Sequence, residues 1–179
     1  NDTEVPVISP VSNITVSNDP GMCSAVVTYT APVGTDNCSG ATTTLTSGIG
    51  SGGTFPLGTT TETYTVTDGA GNSSSTSFTV TVTDNEAPVL TCPGTITVNN
   101  DSGMCSAVVT YTPPAGTDNC SGATTVLLSG IGSGGTFPVG TSIETYQSTD
   151  LAGNTSTCQF NVVVNDAEAP FITCPGDVQ

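Results

Sequence analysis

The chain has 179 residues, 35% of them hydrophobic, and seven cysteines; its fifteen carboxylates face no lysine, arginine or histidine, so the formal charge is −15. That charge excludes nucleic acid and anionic membranes as partners, because every phosphate contact would add repulsion and release no counterion; a cation is the natural small partner. The same composition removes the usual general bases, electrophiles and oxyanion donors of an active site, and no enzyme is expected.

Thr, Ser, Val and Gly abound and tryptophan is absent, which favours strands over helices. In chain order, runs of period two predict strands over 13–17, 25–30, 41–46, 53–58, 61–67 and 77–82, preceded by an extended segment. Tyr64 and Val66 share one face of the fifth run and Phe78, Val80 and Val82 one face of the sixth; Thr and Glu are assigned to the opposite face. These alternating apolar runs argue against disorder in a polar, one-signed chain. The pattern then begins again: "DNCSGATT" at 36–43 returns at 118–125, and "SGIGSGGTFP" at 47–56 returns at 129–138, both 82 residues on. Unit one is thus 2–83 and unit two 84–165, each with six carboxylates, while "DAEAPFITCPGDVQ" at 166–179 opens a third unit with three. About seven short strands per unit, each with one dry face, predict an all-β chain of tandem immunoglobulin-like β-sandwich domains.

The order "APVLTCPGTITV", "GMCSAVVTY", "DNCSG", "GGTFPVGT", "ETYQSTDLAGNTSTCQFNVVV" resembles the hyalin repeat (HYR), a module found in tandem in extracellular and surface proteins. The resemblance covers unit two from end to end, and unit one except at Pro10 and Thr76, which stand where unit two has its first and last cysteines. It implies an immunoglobulin-like fold and a role in adhesion or extracellular structure, with no catalytic residues to carry over.

No C-x-x-C is present, so a disulfide framework is a stronger reading of the cysteines than a metal-thiolate site, and it places the chain in an oxidising, extracellular setting. Unit one lacks the first and last cysteine positions together, as a bonded pair should, which predicts Cys92 with Cys158. The remaining pairs are then Cys23 with Cys38 and Cys105 with Cys120, and Cys174 is expected to bond beyond 179. No apolar run is long enough to span a membrane.

Other motifs carry less. Paired carboxylates serve glycosidases, but here the acidic positions are copied from unit to unit, whereas an active site is assembled once. "GIGSGG" at 48–53 lacks the lysine and following helix of a phosphate loop and reads as a flexible crossing between strands. Tyr29, Phe55, Tyr64 and Phe78 at strand spacing read as core before they read as a sugar platform. Asn13, Asn72 and Asn154 head glycan-acceptor triplets that a Thr/Ser-rich chain produces by chance.

In a sandwich of this kind the incoming segment, the loop between the second and third strands and the final hairpin loop converge at one end. In unit two they carry Asp84, Glu86, Asp118, Asn119, Asp150 and Asn154; in unit one, Asp2, Glu4, Asp36, Asn37, Asp68 and Asn72. Carboxylates so crowded call for a hard cation, and calcium is the expected cofactor; the competing reading is that Asp and Asn form turns through their own side chains. Asp19, at the opposite end of unit one, is expected to reach the same junction. The resulting function is a rigid spacer or filament segment, whose partners are further repeats of the same chain or neighbouring copies. The alternative is an adhesin module that displays its loops to a glycan or a surface protein.

Overall fold

The computed structural model describes residues 2–173, so Cys174 lies outside the described residues. The chain is all-β and divides into two compact units, Asn1–Glu86 and Ala87–Gln179.

Unit 1 holds β1 (Val7–Ile8), β2 (Ile14–Ser17), β3 (Ser24–Val27), β4 (Gly34–Thr35), β5 (Thr42–Ser47), β6 (Gly53–Pro56), β7 (Gly58–Thr67) and β8 (Ser73–Thr83). A four-stranded sheet in the order β2-β8-β7-β5 packs over the pairs β3-β6 and β1-β4, with β2 parallel to β8 and the other pairings antiparallel. Unit 2 repeats this with β9 (Ile96–Asn99), β10 (Ser106–Val109), β11 (Thr124–Ser129), β12 (Gly135–Pro138), β13 (Gly140–Thr149) and β14 (Thr155–Asn165), in sheets β11-β13-β14-β9 and β10-β12. A single bridge between Val89 and Thr117 stands where unit 1 has β1-β4.

All six runs read from the sequence of unit 1 shift at one end or both: β3 stops at Val27 where the reading runs to 30, β7 begins at Gly58 rather than 61, and two differences have a plain physical cause. The run 53–58 breaks at Leu57, because the chain leaves the small sheet after Pro56 and joins the large one at Gly58, whose φ of 100° suits glycine. β8 starts at Ser73 rather than 77, since its first half pairs through hydroxyls and shows no apolar alternation. On the outer face, Thr65 meets Ser75 at 2.9 Å, Thr63 meets Ser77 at 3.0 Å and Thr59 meets Thr81 at 3.0 Å.

Each core lies between the two layers. In unit 1 it comprises Ala25, Val27, Phe55, Tyr64, Phe78, Val80 and Val82, and in unit 2 Ala107, Val109, Phe137, Tyr146, Phe160, Val162 and Val164. The rings of Tyr64 and Phe78 stack with an interplanar angle of 7°, and Tyr29 meets Phe78 edge-on at 5.0 Å, so these aromatics are core members. The Cys92–Cys158 bond is formed, with Cα atoms 5.7 Å apart, and lies against the core of unit 2.

The assignment of Glu to the outer face is corrected. Glu62 shares the parity of Tyr64 and Val66, and it is fully buried, as is Glu144 in unit 2. A buried carboxylate is tolerable only when its oxygens are hydrogen-bonded. Glu62 accepts from the amides of Ile49 and Gly50, both at 2.7 Å, and from the Tyr29 hydroxyl at 2.8 Å. Glu144 does the same with Ile131, Gly132 and Tyr111, all at 2.8 Å. The glycine-rich loop is therefore a structured cradle for the protein's own carboxylate, where the sequence reading has a flexible crossing. Gly48 lies so close to the Glu62 carboxylate that a side chain there has no room, and its φ of 112° is itself the province of glycine.

Candidate functional site

Each unit has a leading end, where the chain comes in, and a trailing end, where it leaves. In unit 1 the β1-β4 pairing (Val7 opposite Thr35, Ile8 opposite Gly34) lays residues 2–6 beside the loop after β4. Register in β5-β7 and β7-β8 (Thr42 opposite Thr67, Thr67 opposite Ser73) brings the hairpin 68–72 to the same end. All six expected residues of unit 1 meet there. Asn72 donates to the Asp2 carbonyl at 3.4 Å, Asn37 donates to Glu4 at 2.6 Å, and the Glu4 amide donates to the Asp2 carboxylate at 3.0 Å. One carboxylate oxygen each of Asp2 and Asp36 and the Cys38 sulfur lie within 4.8 Å of one another.

The carboxylates differ in how well they are satisfied. Asp68 has both oxygens engaged by its own hairpin: Oδ1 accepts from the amides of Ala70 and Asn72, both at 2.8 Å, and Oδ2 from the Asn72 side chain at 2.8 Å. The Asn72 side chain foremost, then these amides, hold its pKa below the usual value against the opposing effect of burial. Asp150 repeats the arrangement with Asn154; burial there pushes the pKa up and is outweighed by the hydrogen bonds from Asn154, Gly153 and Ala152. These two are turn formers. Asp36 accepts from the Cys38 amide through Oδ1 at 2.9 Å, but its Oδ2 is buried and has no hydrogen-bond partner. Asp118 accepts from the Cys120 amide in the same way, and Asn119 follows it in the same loop. The Cys38 thiol, hydrogen-bonded to Asp2 and facing that charge, has its pKa raised.

The trailing ends hold the remaining candidates. Glu86 accepts from the Gly21 amide through both oxygens, at 2.9 and 3.0 Å, and its own amide donates to Asp84 at 3.1 Å. Glu168 clamps Gly103 identically in unit 2, at 2.8 and 3.0 Å. Asp19 is consumed by its own turn, accepting from the Val26 amide at 2.9 Å. The turn 18–22 and residues 83–86 are thus tied together at the trailing end of unit 1, with the Asn18 amide on the Thr83 carbonyl at 2.9 Å.

This geometry corrects two disulfides. Cys23 adjoins the trailing turn while Cys38 lies beside Asp2 at the leading end, and the eleven residues of β8 separate the two ends. At about 3.3 Å per residue that is on the order of 30 Å, whereas bonded cysteines need Cα atoms about 4.4–6.8 Å apart. Unit 2 places Cys105 and Cys120 in the same opposed way, across β14. Cys38 and Cys105 are free and exposed, so Cys23–Cys38 and Cys105–Cys120 are not formed.

Two β-sandwiches in tandem, one with a disulfide against its core, define the class as an extracellular β-sandwich repeat. The HYR domain matches residues 1–82 and 83–164, and the chain belongs to that family. Hyalin of Strongylocentrotus purpuratus is 33% identical over 184 residues, covering 99% of this chain and 15% of the relative. Hyalin of Lytechinus variegatus is 36% identical over 177 residues, covering 95% of this chain and 33% of the relative, so the chain spans a third or less of their lengths. Among solved structures, mouse cadherin-23 EC22-24 aligns with a TM-score of 0.43 at 15% identity, over 89% of this chain and 66% of that one.

Proposed function

We propose that the chain is a segment of a linear extracellular array, a spacer or filament with no catalytic role, in which each repeat of 82 residues is stiffened by calcium at its leading end. The observation that carries the calcium part is Asp36 Oδ2: a buried, unpartnered carboxylate oxygen beside a second carboxylate, Asp2, in a chain with no cation of its own. A hard ion that takes about 6–8 oxygen ligands suits Asp2 and Asp36, with Glu4 and Asn37 alongside; Asp118 and Asn119 supply the matching loop in unit 2. Asp68, Asn72, Asp150 and Asn154 shape the hairpins that frame the site, and Glu86 closes the preceding trailing turn together with Asp84. The partners are further repeats of the chain or neighbouring copies. The test is thermal melting in calcium and then in chelator. Calcium is expected to raise the unit 1 transition, and Asp36→Asn to abolish most of that rise without lowering the melting temperature in chelator; equal transitions in both buffers would remove calcium from the reading.

A further inference from the structure

Unit 1 is a built-in control for the outer face of the large sheet in unit 2. Where that face carries Thr44, Thr46, Thr61 and Thr81 in unit 1, unit 2 has Val126, Leu128, Ile143 and Val163. Unit 1 folds with the threonines, so the sandwich does not call for apolar side chains there, and Val126, Leu128 and Ile143 are each more than half exposed. Strand register makes the four neighbours: Val126 lies opposite Gln147, Leu128 sits in the bulge beside Thr145, Ile143 is two residues from Thr145 along β13, and Val163 is diagonal to Ile143. A groove of about 320 Å³, lined by Pro93, Gly94, Thr95, Ile143, Gln159 and Phe160, opens beside this stripe. At the corresponding place in unit 1 the Asn13 side chain reaches across to accept from the Thr79 amide at 3.0 Å, whereas unit 2 has Thr95 there.

The carboxylates of unit 2 avoid this face. Among the described residues, Asp101, Asp166 and Glu168 lie at the trailing end, Asp118 and Asp150 at the leading end, and Glu144 is buried. In a chain of formal charge −15, the face is therefore a surface that another copy can approach without bringing like charges together. It offers a cationic partner nothing to pair with. An identical face carries the same stripe and the same groove, so a two-fold axis sets each against the other. Strands of 6, 10, 11 and 4 residues, at about 3.3 Å per residue and about 4.8 Å apart, make a face of about 500 Å². Two such faces bury about 1,000 Å² in total, the size of a weak, reversible pair. We propose that the outer face of β11, β13 and β14 is a self-association surface, on which a second copy of the chain seats its Val126 and Leu128 stripe against the groove beside Ile143. This rests on the reading of neighbouring copies as partners and supplies the surface by which they meet.

The test is sedimentation velocity in chelator, with free thiols alkylated so that no disulfide links two copies. Over about 0.01–1 mM, the range of a weak pair, the sedimentation coefficient is expected to climb from monomer toward dimer. The climb should be steeper in about 1 M than in about 0.01 M sodium chloride, since salt screens the repulsion between two anionic chains. The triple variant Val126→Thr, Leu128→Thr, Ile143→Thr gives unit 2 the residues with which unit 1 folds; it is expected to weaken association by about tenfold or more with its circular dichroism unchanged. Thr95→Asn, which supplies the side chain that unit 1 has beside Thr79, is expected to weaken it less. A triple variant that associates as the wild-type chain does overturns this surface and leaves neighbouring copies as partners. A wild-type chain that stays monomeric at every concentration and salt removes neighbouring copies as partners along with it. Flotation with phosphatidylcholine vesicles checks a competing occupant: the chain is expected to stay in the buffer, and a monomeric chain carried up with the vesicles would overturn the proposal in favour of a lipid surface.

Discussion

Where unit 2 ties its incoming segment to its last strand through Cys92 and Cys158, unit 1 has Pro10 and Thr76, and the strands of the two large sheets superpose in register all the same. A second exchange lies deeper. Val66 is fully buried in unit 1, and its counterpart Ser148 is equally buried in unit 2, where it exchanges hydrogen bonds at 3.3 Å with Thr125 and the Thr124 carbonyl. The outer faces differ as well: unit 1 presents Thr and Ser along β5, β7 and β8, whereas unit 2 exposes Val126, Leu128 and Ile143 at more than half of their area. Magnitudes rank these differences. Closing a loop of 66 residues adds about 4 kcal/mol by the chain-entropy estimate, and burying a valine roughly 1.5–3 kcal/mol. The sandwich is therefore specified by what the units share, the aromatic core and the cradled glutamate, and the fastenings that differ set only how firmly each is held.

Removing a shared element should cost most. Glu62→Ala leaves two amides unpaired, at about 1–3 kcal/mol each, and the Tyr29 hydroxyl with Tyr64 as its remaining partner, so a loss of about 4 kcal/mol is expected in urea unfolding. Glu144→Ala should do the same to unit 2, each change leaving the other unit's transition where it was. A fastening comes next. In oxidising buffer unit 1 is expected to melt first, and Cys92→Ala with Cys158→Ala to lower the unit 2 transition by about 4 kcal/mol; calorimetry in which the pair moved neither transition would contradict this. Gly34→Ala probes a close approach present in unit 1: a methyl group there would meet the Val66 side chain at 2.5 Å, and about 1–3 kcal/mol is expected to be lost.

Acid and alkali should act on both units alike. Asp68 and Asp150 have lowered pKa values in the folded state, so their contribution is present above the unfolded value, about 3.9, and is lost as pH falls through the folded one. Tyr29 and Tyr111 have raised values, foremost from burial and then from hydrogen bonds to a tyrosine and the cradled glutamate. Their contribution is complete below the unfolded value, about 10, and is lost as pH rises beyond it. Melting temperature against pH should show a plateau between those limits, and Asp68→Asn should flatten the acid limb of unit 1 alone. The smallest effect belongs to the outer face. Val126→Thr, Leu128→Thr and Ile143→Thr should each move unit 2 stability by no more than about 0.5 kcal/mol, as read by urea unfolding.

Much of this was legible because a repeat supplies its own control. The interval of 82 residues revealed the units, and the joint absence of cysteine at Pro10 and Thr76 identified the Cys92–Cys158 bond. Six residues of the leading end of unit 1 were found from strand order alone. Glu62 was missed although its parity with Tyr64 and Val66 in "TETYTV" was the signal, since a carboxylate is assigned to water unless donors are known to await it, and those donors are backbone amides without a side-chain signature. The Cys23–Cys38 pairing failed for a related reason: fifteen residues of sequence separation give no hint that a strand's length divides the two. Turn formers and free carboxylates also looked alike, because the sequence does not show that Asp68 is satisfied by Asn72 while one oxygen of Asp36 is not.

The amide cradle around Glu62 and Glu144 bears on ionic strength. A buried carboxylate is most often balanced by lysine or arginine, and pairs of that kind near a surface weaken as salt screens them. Here the partners are peptide dipoles that neither titrate nor dissociate, enclosed beside the carboxyl group they serve. Added electrolyte has no attraction to weaken inside the fold and only repulsion to relieve outside, among fifteen like charges. Brine should make this protein more stable, a response set by where its buried carboxylates find their partners.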